Sequence, residues 1–276
     1  MENKRKRTVK TFFLAGMAVC LILIGRVHYH SVQHRVQQEN LREMVTEASV
    51  QYPVQADSAP QEVEVSVLSG AEAAGRENRQ EGNDSVMLAG YAGLYEENKD
   101  LAGWLSIEGM RIDYPVMQTE DDTYYLHHDF YGEDSKYGCL YVKGQADLDA
   151  GTNFIIYGHN MKDGSMFGDL DLYLKESFFR EHPVISFDTL YEERTYDIIA
   201  MFRSQVYNVD DEVFKYYQFY QADTQEEFEY FYDNIKELSL YDTGVEAKFG
   251  DTFLTLSTCA YHVPDGRLVV VAKRRE

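Results

Sequence analysis

The sequence predicts a mainly β domain whose strands close, or nearly close, into a barrel. About eight short apolar runs, separated by turn residues, follow an N-terminal region of different composition. Helical patterns between these runs are few. Aromatic residues make up 14% of the chain and tyrosine alone contributes 22 residues, which favours strands over a helical bundle. Closure into a barrel would leave these strands without exposed edges.

The domain is predicted to begin near residue 86, with a helical pattern over residues 88–100. The predicted strands, in chain order, are residues 101–107, 112–116, 139–142, 153–157, 184–187, 195–206, 252–258 and 268–272. Two predicted helices interrupt them, at residues 168–180 and 224–238. The second begins with the Thr-x-x-Glu pattern of a capping box and ends shortly before the strand that leads to Cys259.

The N-terminus combines a basic start with an apolar run over residues 11–25, closed by Arg26. A cleavable signal peptide and an uncleaved signal anchor both fit this pattern. The run is shorter than the usual span of about 20 residues, but flanking Lys10 and Arg26 can extend it by snorkelling. Because no A-x-A-like cleavage site follows, we expect a single-pass anchor over residues 1–26. The positive-inside rule then places the N-terminus in the cytoplasm and everything after Arg26 outside the cell membrane.

Residues 27–85 are predicted to form an extracellular stalk and linker, ahead of a folded domain at residues 86–276. The first part, to about residue 48, is polar and compatible with a helix. Residues 49–84 are rich in Ala, Glu, Gln, Ser and Gly with almost no aromatic residues, so they cannot bury enough apolar surface to fold alone. We expect this linker to hold the domain away from the membrane.

Charge and composition exclude some functions. A formal net charge of −21 argues against nucleic-acid binding, which needs a basic face. The chain has no Cys-x-x-Cys pattern, and its only His-x-x-x-His spacing, His30 to His34, lies in the predicted stalk. We therefore expect neither a metal site nor a cofactor.

The three cysteines leave two interpretations open. Cys20 lies in the apolar run, where it is a small hydrophobic residue. Cys139 and Cys259 could form one disulfide in an oxidising compartment. Alternatively, one of them is a free reactive thiol. Composition does not decide between these interpretations.

Cys259 ends a predicted strand, and Arg267 opens the next one. Seven residues separate them, including the turn-forming sequence Pro264-Asp265-Gly266. If the two strands pair as an antiparallel hairpin, Cys259 and Arg267 lie at the same end of neighbouring strands, so the thiol and guanidinium come within contact reach. Taken alone, an arginine that starts a strand is more often a solvated edge charge.

His159 follows the apolar strand at residues 153–157 through Gly158, and therefore lies on a rim where functional residues tend to gather. A lone histidine is more often a hydrogen-bonded structural residue. The one rival base is His262, three residues after Cys259.

Together these residues resemble a known family. The segments Tyr157-Gly158-His159-Asn160-Met161 and Thr255-Leu256-Ser257-Thr258-Cys259, followed by Arg267, resemble the sortase signature in the order His, Cys, Arg. Similarity to class B sortases extends over residues 103–105, 112–116, 124–126, 128–130 and 162–168 and the helix at 224–238. The resemblance covers about residue 88 to the C-terminus. It implies the closed eight-stranded sortase-type barrel with N-terminal helices and one long helix before the cysteine strand.

The resemblance also implies roles. Cys259 would be the nucleophile, His159 the general acid and base, and Arg267 the group that stabilises the oxyanion or the substrate. Tyr157 and Ser257 match positions that line the class B substrate groove. No acidic residue can be assigned from the sequence to orient His159.

The implied function is a cysteine transpeptidase of a Gram-positive bacterium that anchors surface proteins to the cell wall. It would cleave a C-terminal sorting motif after a threonine and pass the acyl group, through a thioester on Cys259, to a peptidoglycan amine. The implied partners are surface proteins bearing a sorting signal, and a peptidoglycan precursor or cross-bridge amine.

Three alternatives remain beside this interpretation. One is a sortase that polymerises pilins. Another is a secreted cysteine peptidase that only hydrolyses, although papain-like enzymes have the order Cys, His, Asn and lack the arginine. The third is a wall-anchored surface protein, but the chain ends in an apolar strand pattern and four polar residues without a sorting pentapeptide.

Overall fold

The computed structural model describes residues 2–51 and 86–276. Within these ranges the strands are β1 (Leu101–Ser106), β2 (Asp113–Thr119), β3 (Leu140–Lys143), β4 (Asn153–Gly158), β5 (Val184–Thr189), β6 (Thr195–Gln205), β7 (Phe253–Cys259) and β8 (Gly266–Arg274). They form a closed barrel in the order β1-β2-β3-β4-β7-β8-β6-β5. The pairs β2–β3 and β4–β7 are parallel, and the other neighbours are antiparallel. The predicted mainly β, closed eight-stranded barrel is confirmed.

The helices are α1 (Glu2–Gln51), α2 (Ala89–Glu97), α3 (Glu176–Glu181) and α4 (Gln225–Leu238). Short 3₁₀ turns occur at Tyr124–Leu126, Gly168–Leu174 and Tyr216–Gln218. The helical segment predicted at residues 168–180 is present, but it is divided into a 3₁₀ turn and an α-helix. The backbone of Lys175 is extended (φ −105°, ψ 117°), so it ends the 3₁₀ turn and serves as the N-cap of α3.

The barrel interior is filled by apolar side chains from every strand, as alternation along each strand requires. On β7, Leu254 and Leu256 point into this core, whereas Phe253 points outward. A second apolar layer covers that outer face, so β7 is apolar on both sides over its first half.

Helix α4 supplies much of the outer layer beside β7. Its capping box is present, because the Thr224 hydroxyl accepts a bond from the Glu227 amide and the Glu227 carboxylate accepts one from the Thr224 amide. Phe228, Phe231 and Ile235 are fully buried on the face toward the barrel. Burying each contributes about 1.5–3 kcal/mol. The helix thereby fixes the wall next to the strand that carries Cys259.

The segment predicted as a polar stalk is helical in α1, and one face of it packs against the domain. His34, Gln38 and Leu41 are buried. Leu41 joins an apolar cluster with α2, β1 and the connection between β2 and β3. The predicted linker at residues 49–84 falls almost entirely outside the described residues.

The prediction of a single-pass membrane anchor, and with it the assignment of the two sides of the membrane, is wrong. Over residues 2–51 and 86–276, no helix is long and apolar enough to cross a membrane. The apolar run at residues 11–25 is shorter than the roughly 20 residues that a spanning helix needs, and basic residues flank it on both sides.

Candidate active site

Cys259 and Arg267 are direct partners across β7 and β8. The antiparallel register pairs Cys259 with Arg267 and Ser257 with Val269. Side chains of directly opposed residues leave the same face of the sheet with Cβ atoms about 4.5–5.5 Å apart. Ser257 and Cys259 follow Phe253 at two-residue intervals, so this face is the outer face of the barrel. The thiol and the guanidinium therefore share one outer edge, at the C-terminal end of β7.

The position of Arg267 is set by the turn before it. Asp265 has a positive φ of 52°, and the Ala260 amide donates to the Gly266 carbonyl at 2.9 Å. A Cβ atom on Gly266 would overlap the Ala260 carbonyl, so glycine is required at this close approach. One guanidinium nitrogen of Arg267 donates to the carbonyls of Asp265 and Gly266, at 3.1 and 2.9 Å. These two bonds use only one of the three guanidinium nitrogens.

His159 reaches the same edge from the other side of β7. Strands β4 and β7 are parallel and paired through Gly158 and Thr258, and His159 and Cys259 are the next residue on each chain. The Asn160 side-chain amide donates to the Cys259 carbonyl at 2.9 Å and ties the two strand ends together. His159 directly follows β4, Cys259 ends β7 and Arg267 lies at the start of β8, so the three residues meet at one edge of three adjacent strands.

A backbone carbonyl, not a carboxylate, holds the imidazole of His159. Its Nε2 lies 2.8 Å from the carbonyl oxygen of Leu126, in the 3₁₀ turn between β2 and β3. A carbonyl only accepts hydrogen bonds, so Nε2 carries the proton and Nδ1 is left to exchange one. In the part of the chain that the structure describes, no carboxylate hydrogen-bonds to His159. A role played through a backbone atom leaves no side-chain signal in a sequence, which is why Leu126 was missed.

Tyrosines surround the outer face beside Cys259. The Tyr216 hydroxyl and the Ser257 hydroxyl are hydrogen-bonded at 2.8 Å, both buried. Burial chiefly raises the pKa of Tyr216 to about 12, with Cys259 nearby adding to the rise and Arg267 opposing it. Burial likewise raises the pKa of Tyr141 to about 12. Both hydroxyls stay protonated at neutral pH and can donate hydrogen bonds. Tyr216 lies on the segment before α4 and was not predicted as a site residue.

Tyr157 lies in the same region, one strand away. It pairs with Ser257 in the β4–β7 register and stacks on Tyr141 with ring centroids 5.5 Å apart. Burial raises the pKa of its hydroxyl well above the usual range. The structure therefore brings both groove residues suggested by the sequence, Tyr157 and Ser257, next to the Cys259–Arg267 pair.

The two cysteines outside α1 differ in environment. Both are free thiols, so the disulfide interpretation is wrong. Cys139 is buried in the apolar cluster below α2, and burial raises the pKa of its thiol far above the usual range. Cys259 is only half-buried. A thiol must ionise to attack, which favours Cys259 over Cys139 as the reactive group.

The rival base and a metal centre find less support. His262 is exposed on the turn between β7 and β8, with its ring beside Gly266. Among the described residues, no group of three or more His, Cys, Asp or Glu side chains is arranged to hold a metal ion. A thiol, an imidazole and a guanidinium at one edge are suited to acyl transfer, in which a nucleophile, a proton carrier and an oxyanion stabiliser act on one carbonyl.

Comparison with known proteins gives a consistent result. A family model described as Sortase domain matches residues 105–275. Sortase B of Listeria monocytogenes is 36% identical over 189 residues, covering 65% of this chain and 72% of the relative. Sortase B of Staphylococcus aureus is 31% identical over 186 residues, covering 66% of this chain and 73% of the relative. A solved Staphylococcus aureus sortase B–substrate complex is similar with a TM-score of 0.71 and 25% identity, covering 90% of this chain and 98% of that one.

Proposed function

Because the chain belongs to the sortase family of cysteine transpeptidases, and to its class B, we propose that Cys259 cleaves a C-terminal sorting motif after a threonine and transfers the acyl group to a cell-wall amine. The observation that carries this proposal is the cross-strand pair of Cys259 and Arg267, with His159 at the end of the adjacent parallel strand. Each group has a distinct task in the reaction.

In the first half-reaction the thiol proton of Cys259 passes to Nδ1 of His159, and the sulfur attacks the carbonyl carbon of the threonine. The C–S bond forms, the tetrahedral intermediate collapses, and the C–N bond to the next residue breaks. His159 donates a proton to the leaving nitrogen, so an amine departs and a thioester remains on Cys259. Splitting the reaction in this way stores the acyl group on the enzyme until an acceptor arrives.

In the second half-reaction an incoming amine attacks the thioester carbonyl. His159 takes a proton from that nitrogen, the C–S bond breaks, and His159 returns the proton to the sulfur, which restores the thiol and leaves a new amide as product. The proton on Nε2 stays bonded to the Leu126 carbonyl at 2.8 Å, and Nδ1 is therefore the nitrogen that gives and receives protons in both halves.

Arg267 stabilises the negative oxygen of the tetrahedral intermediates, or holds the substrate carbonyls beside the thiol. It faces Cys259 in the register, and its carbonyl contacts to Asp265 and Gly266 hold one side of the fork in place. A preorganised donor of permanent charge acts most strongly where water is excluded.

Tyr157 and Ser257 are proposed to contact the sorting motif. They are paired with each other two residues before His159 and Cys259, and Tyr216 hydrogen-bonds to Ser257 from the segment before α4. These groups offer aromatic surface and hydroxyl donors, which suits an extended peptide with polar and small side chains. The acceptor is proposed to be an amine of a peptidoglycan precursor or cross-bridge.

The test is turnover of a fluorogenic sorting-peptide library by the full chain, with and without an added amine. Cys259→Ala is expected to abolish cleavage and His159→Ala nearly so, whereas Cys139→Ala removes a thiol elsewhere and should retain turnover. Mass analysis should find an amide adduct whenever amine is present. Free acid alone at saturating amine would favour the hydrolytic peptidase, and full cleavage by Cys259→Ala would reject the nucleophile.

A pilin-polymerising enzyme is the second candidate within the same chemistry. It would use the same three residues and differ only in the acceptor, which would be a lysine side chain on a protein. Competition between a lysine-bearing peptide and a peptidoglycan-type amine in the same assay separates the two. Preference for the lysine peptide would replace the cell-wall acceptor proposed above.

A further inference from the structure

The carbonyl of Leu126, which accepts the hydrogen bond from His159, differs from the other carbonyls between Tyr124 and His127 in its partner. Backbone amides bond to its neighbours: His127 N donates to Tyr124 O, Cys139 N to Tyr125 O, and Ser135 N to His127 O. The Leu126 carbonyl instead receives Nε2 of His159 at 2.8 Å. The direction of this peptide group therefore sets the direction of the imidazole, because the ring has no carboxylate partner among the described residues.

Gly138 packs directly against that peptide group. It has a positive φ of 59°, and a Cβ atom built on it would overlap the Tyr125 carbonyl oxygen. The same atom would lie 3.0 Å from the carbonyl oxygen of Leu126 and 3.1 Å from its carbonyl carbon. Both the backbone conformation and the space exclude any residue with a side chain, so the missing side chain of Gly138 leaves room for the peptide that points at His159.

The turn is held from its other side by buried side chains. The Tyr125 hydroxyl donates to the Asp100 carboxylate at 2.9 Å and accepts from the Asn98 amide at 3.0 Å. Tyr125 is 2% exposed, so the residue preceding Leu126 has little freedom to move. The Leu126 carbonyl is therefore fixed between this anchor and Gly138.

We propose that Gly138 is a positioning residue for catalysis, acting through the Leu126 carbonyl to fix the tautomer and direction of the His159 ring. The proposal rests on the proposed function, since it takes His159 as the proton carrier. It assigns to a glycine, far from Cys259 in the sequence, the task that an acidic side chain performs in many histidine-dependent enzymes. A shifted carbonyl would let Nε2 lose its partner and let the ring turn, and the proton would then be misplaced with respect to the substrate.

The chain supplies a matched control for the test. Gly132 belongs to the same connection between β2 and β3 and also has a positive φ, of 77°. A Cβ atom there would meet only the far end of the Tyr124 side chain, at 3.1 Å. Gly132→Ala and Gly138→Ala therefore impose the same kind of backbone strain, but only the second presses on the peptide that carries the Leu126 carbonyl.

Steady-state kinetics of the full chain give the first readout. Gly138→Ala is expected to lower kcat by about 10- to 100-fold, because a small misplacement of a catalytic group costs that much, with KM within about twofold of the unsubstituted chain. Gly132→Ala should keep kcat within about threefold. Equal losses in both variants, or a loss in Gly138→Ala confined to KM, would overturn the proposal.

The second readout is independent of turnover. Nitrogen-15 spectra of the neutral imidazole, assigned by comparison with His159→Gln, should show the proton on Nε2 in the unsubstituted chain and a mixture of tautomers in Gly138→Ala. A proton on Nδ1 in the unsubstituted chain overturns the positioning. An Nε2 proton in a chain that turns over no sorting peptide would reject the proposed function and leave the positioning intact.

A further variant covers the case in which Gly138→Ala does not fold. Tyr125→Phe keeps the packing of the ring but removes the hydroxyl bonds to Asp100 and Asn98. Tyr125→Phe should lower kcat by a smaller factor than Gly138→Ala, and it should raise the population of the His159 tautomer that carries its proton on Nδ1. Unchanged kcat together with an unchanged spectrum would contradict the proposal.

Discussion

Cys259 and Arg267 face each other directly across β7 and β8, although a turn with a strained aspartate separates them in the chain. The register is fixed over seven consecutive pairs, from Phe253 opposite Lys273 to Cys259 opposite Arg267. A slip by one residue would send every side chain of β7 to the wrong face, so burial of Leu254 and Leu256 in the core also fixes the thiol beside the guanidinium. The barrel core and the reactive pair are set by one strand alignment.

Arg267→Lys is expected to lower kcat/KM by about 10²- to 10³-fold. Lysine keeps the charge, but it lacks the planar fork that bonds to the Asp265 and Gly266 carbonyls and presents further donors at the same time. The measurement is cleavage of the sorting peptide that the library selects. Arg275→Lys is the control, because Arg275 pairs with Asp197 on the surface just beyond β8. Activity of Arg267→Lys as high as that control would mean that the guanidinium has no special role.

Alkylation should distinguish the two cysteines of the domain. In a Cys20→Ser background, which removes the exposed thiol of α1, iodoacetamide should modify Cys259 within minutes and leave Cys139 unmodified until the chain is denatured. Burial raises the pKa of the Cys139 thiol, so its reactive thiolate is scarce as well as inaccessible. Peptide mass mapping under native and denaturing conditions measures both sites. Modification of Cys139 in the folded protein at the rate of Cys259 would contradict the burial argument.

The buried hydrogen bond between Tyr216 and Ser257 should be visible as a coupling energy. Tyr216→Phe leaves the Ser257 hydroxyl without its partner at 2.8 Å, and we expect a loss of about 1–2 kcal/mol in the free energy of unfolding. Ser257→Ala should cost a similar amount. The loss of unfolding free energy in the double variant, measured by urea denaturation, should be about 1 kcal/mol smaller than the sum of the losses in the two single variants. Strict additivity would show that the hydroxyls do not stabilise each other.

The sequence was most informative where a pattern repeats along the chain or matches a family motif. Short apolar runs bounded by turn residues predicted all eight strands to within a few residues, and the Thr224–Glu227 pattern predicted the start of α4. The cysteine, histidine and arginine were found from local motifs, since each lies at a strand end next to glycine or a turn. That the three meet depends on barrel closure, which brings β4 beside β7 although the chain between them contains two other strands.

What the sequence did not predict depends on backbone direction and long-range packing. The Leu126 carbonyl has no side-chain signature, and the break at Lys175 reflects one extended residue inside an otherwise helical pattern. The burial of one face of α1 was also missed, because Gln37, His34 and Gln38 are polar and read as a solvated surface. Specific contacts with the domain hold this face: the Gln37 side chain donates to the Asp129 carboxylate at 2.8 Å, and the His34 ring stacks on Tyr137.

His34 makes this packing sensitive to pH. Its ring stacks on Tyr137 with centroids 4.0 Å apart, it is 6% exposed, and its Nε2 has no hydrogen-bond partner within the described residues. Burial lowers its pKa from 6.5 to about 4; Asp163 and Asp129 nearby oppose the shift, and Lys136 adds to it. The folded protein therefore holds the neutral ring, whereas the unfolded chain takes up a proton below about pH 6.5.

Docking of α1 should consequently weaken as the pH falls from about 6.5 to about 4 and be constant above that window. In this window the unfolded state binds more protons, so stability rises with pH, by at most about 3 kcal/mol in total for a shift of this size. Amide hydrogen exchange of Leu41 to Val45 at pH 7 and pH 5, corrected for the intrinsic exchange rate, measures the effect. His34→Phe keeps the stack on Tyr137 without a titrating group. In this variant the protection of these amides against exchange should no longer depend on pH. Equal pH dependence in His34→Phe and the unsubstituted chain would assign the effect to the carboxylates around α1 instead.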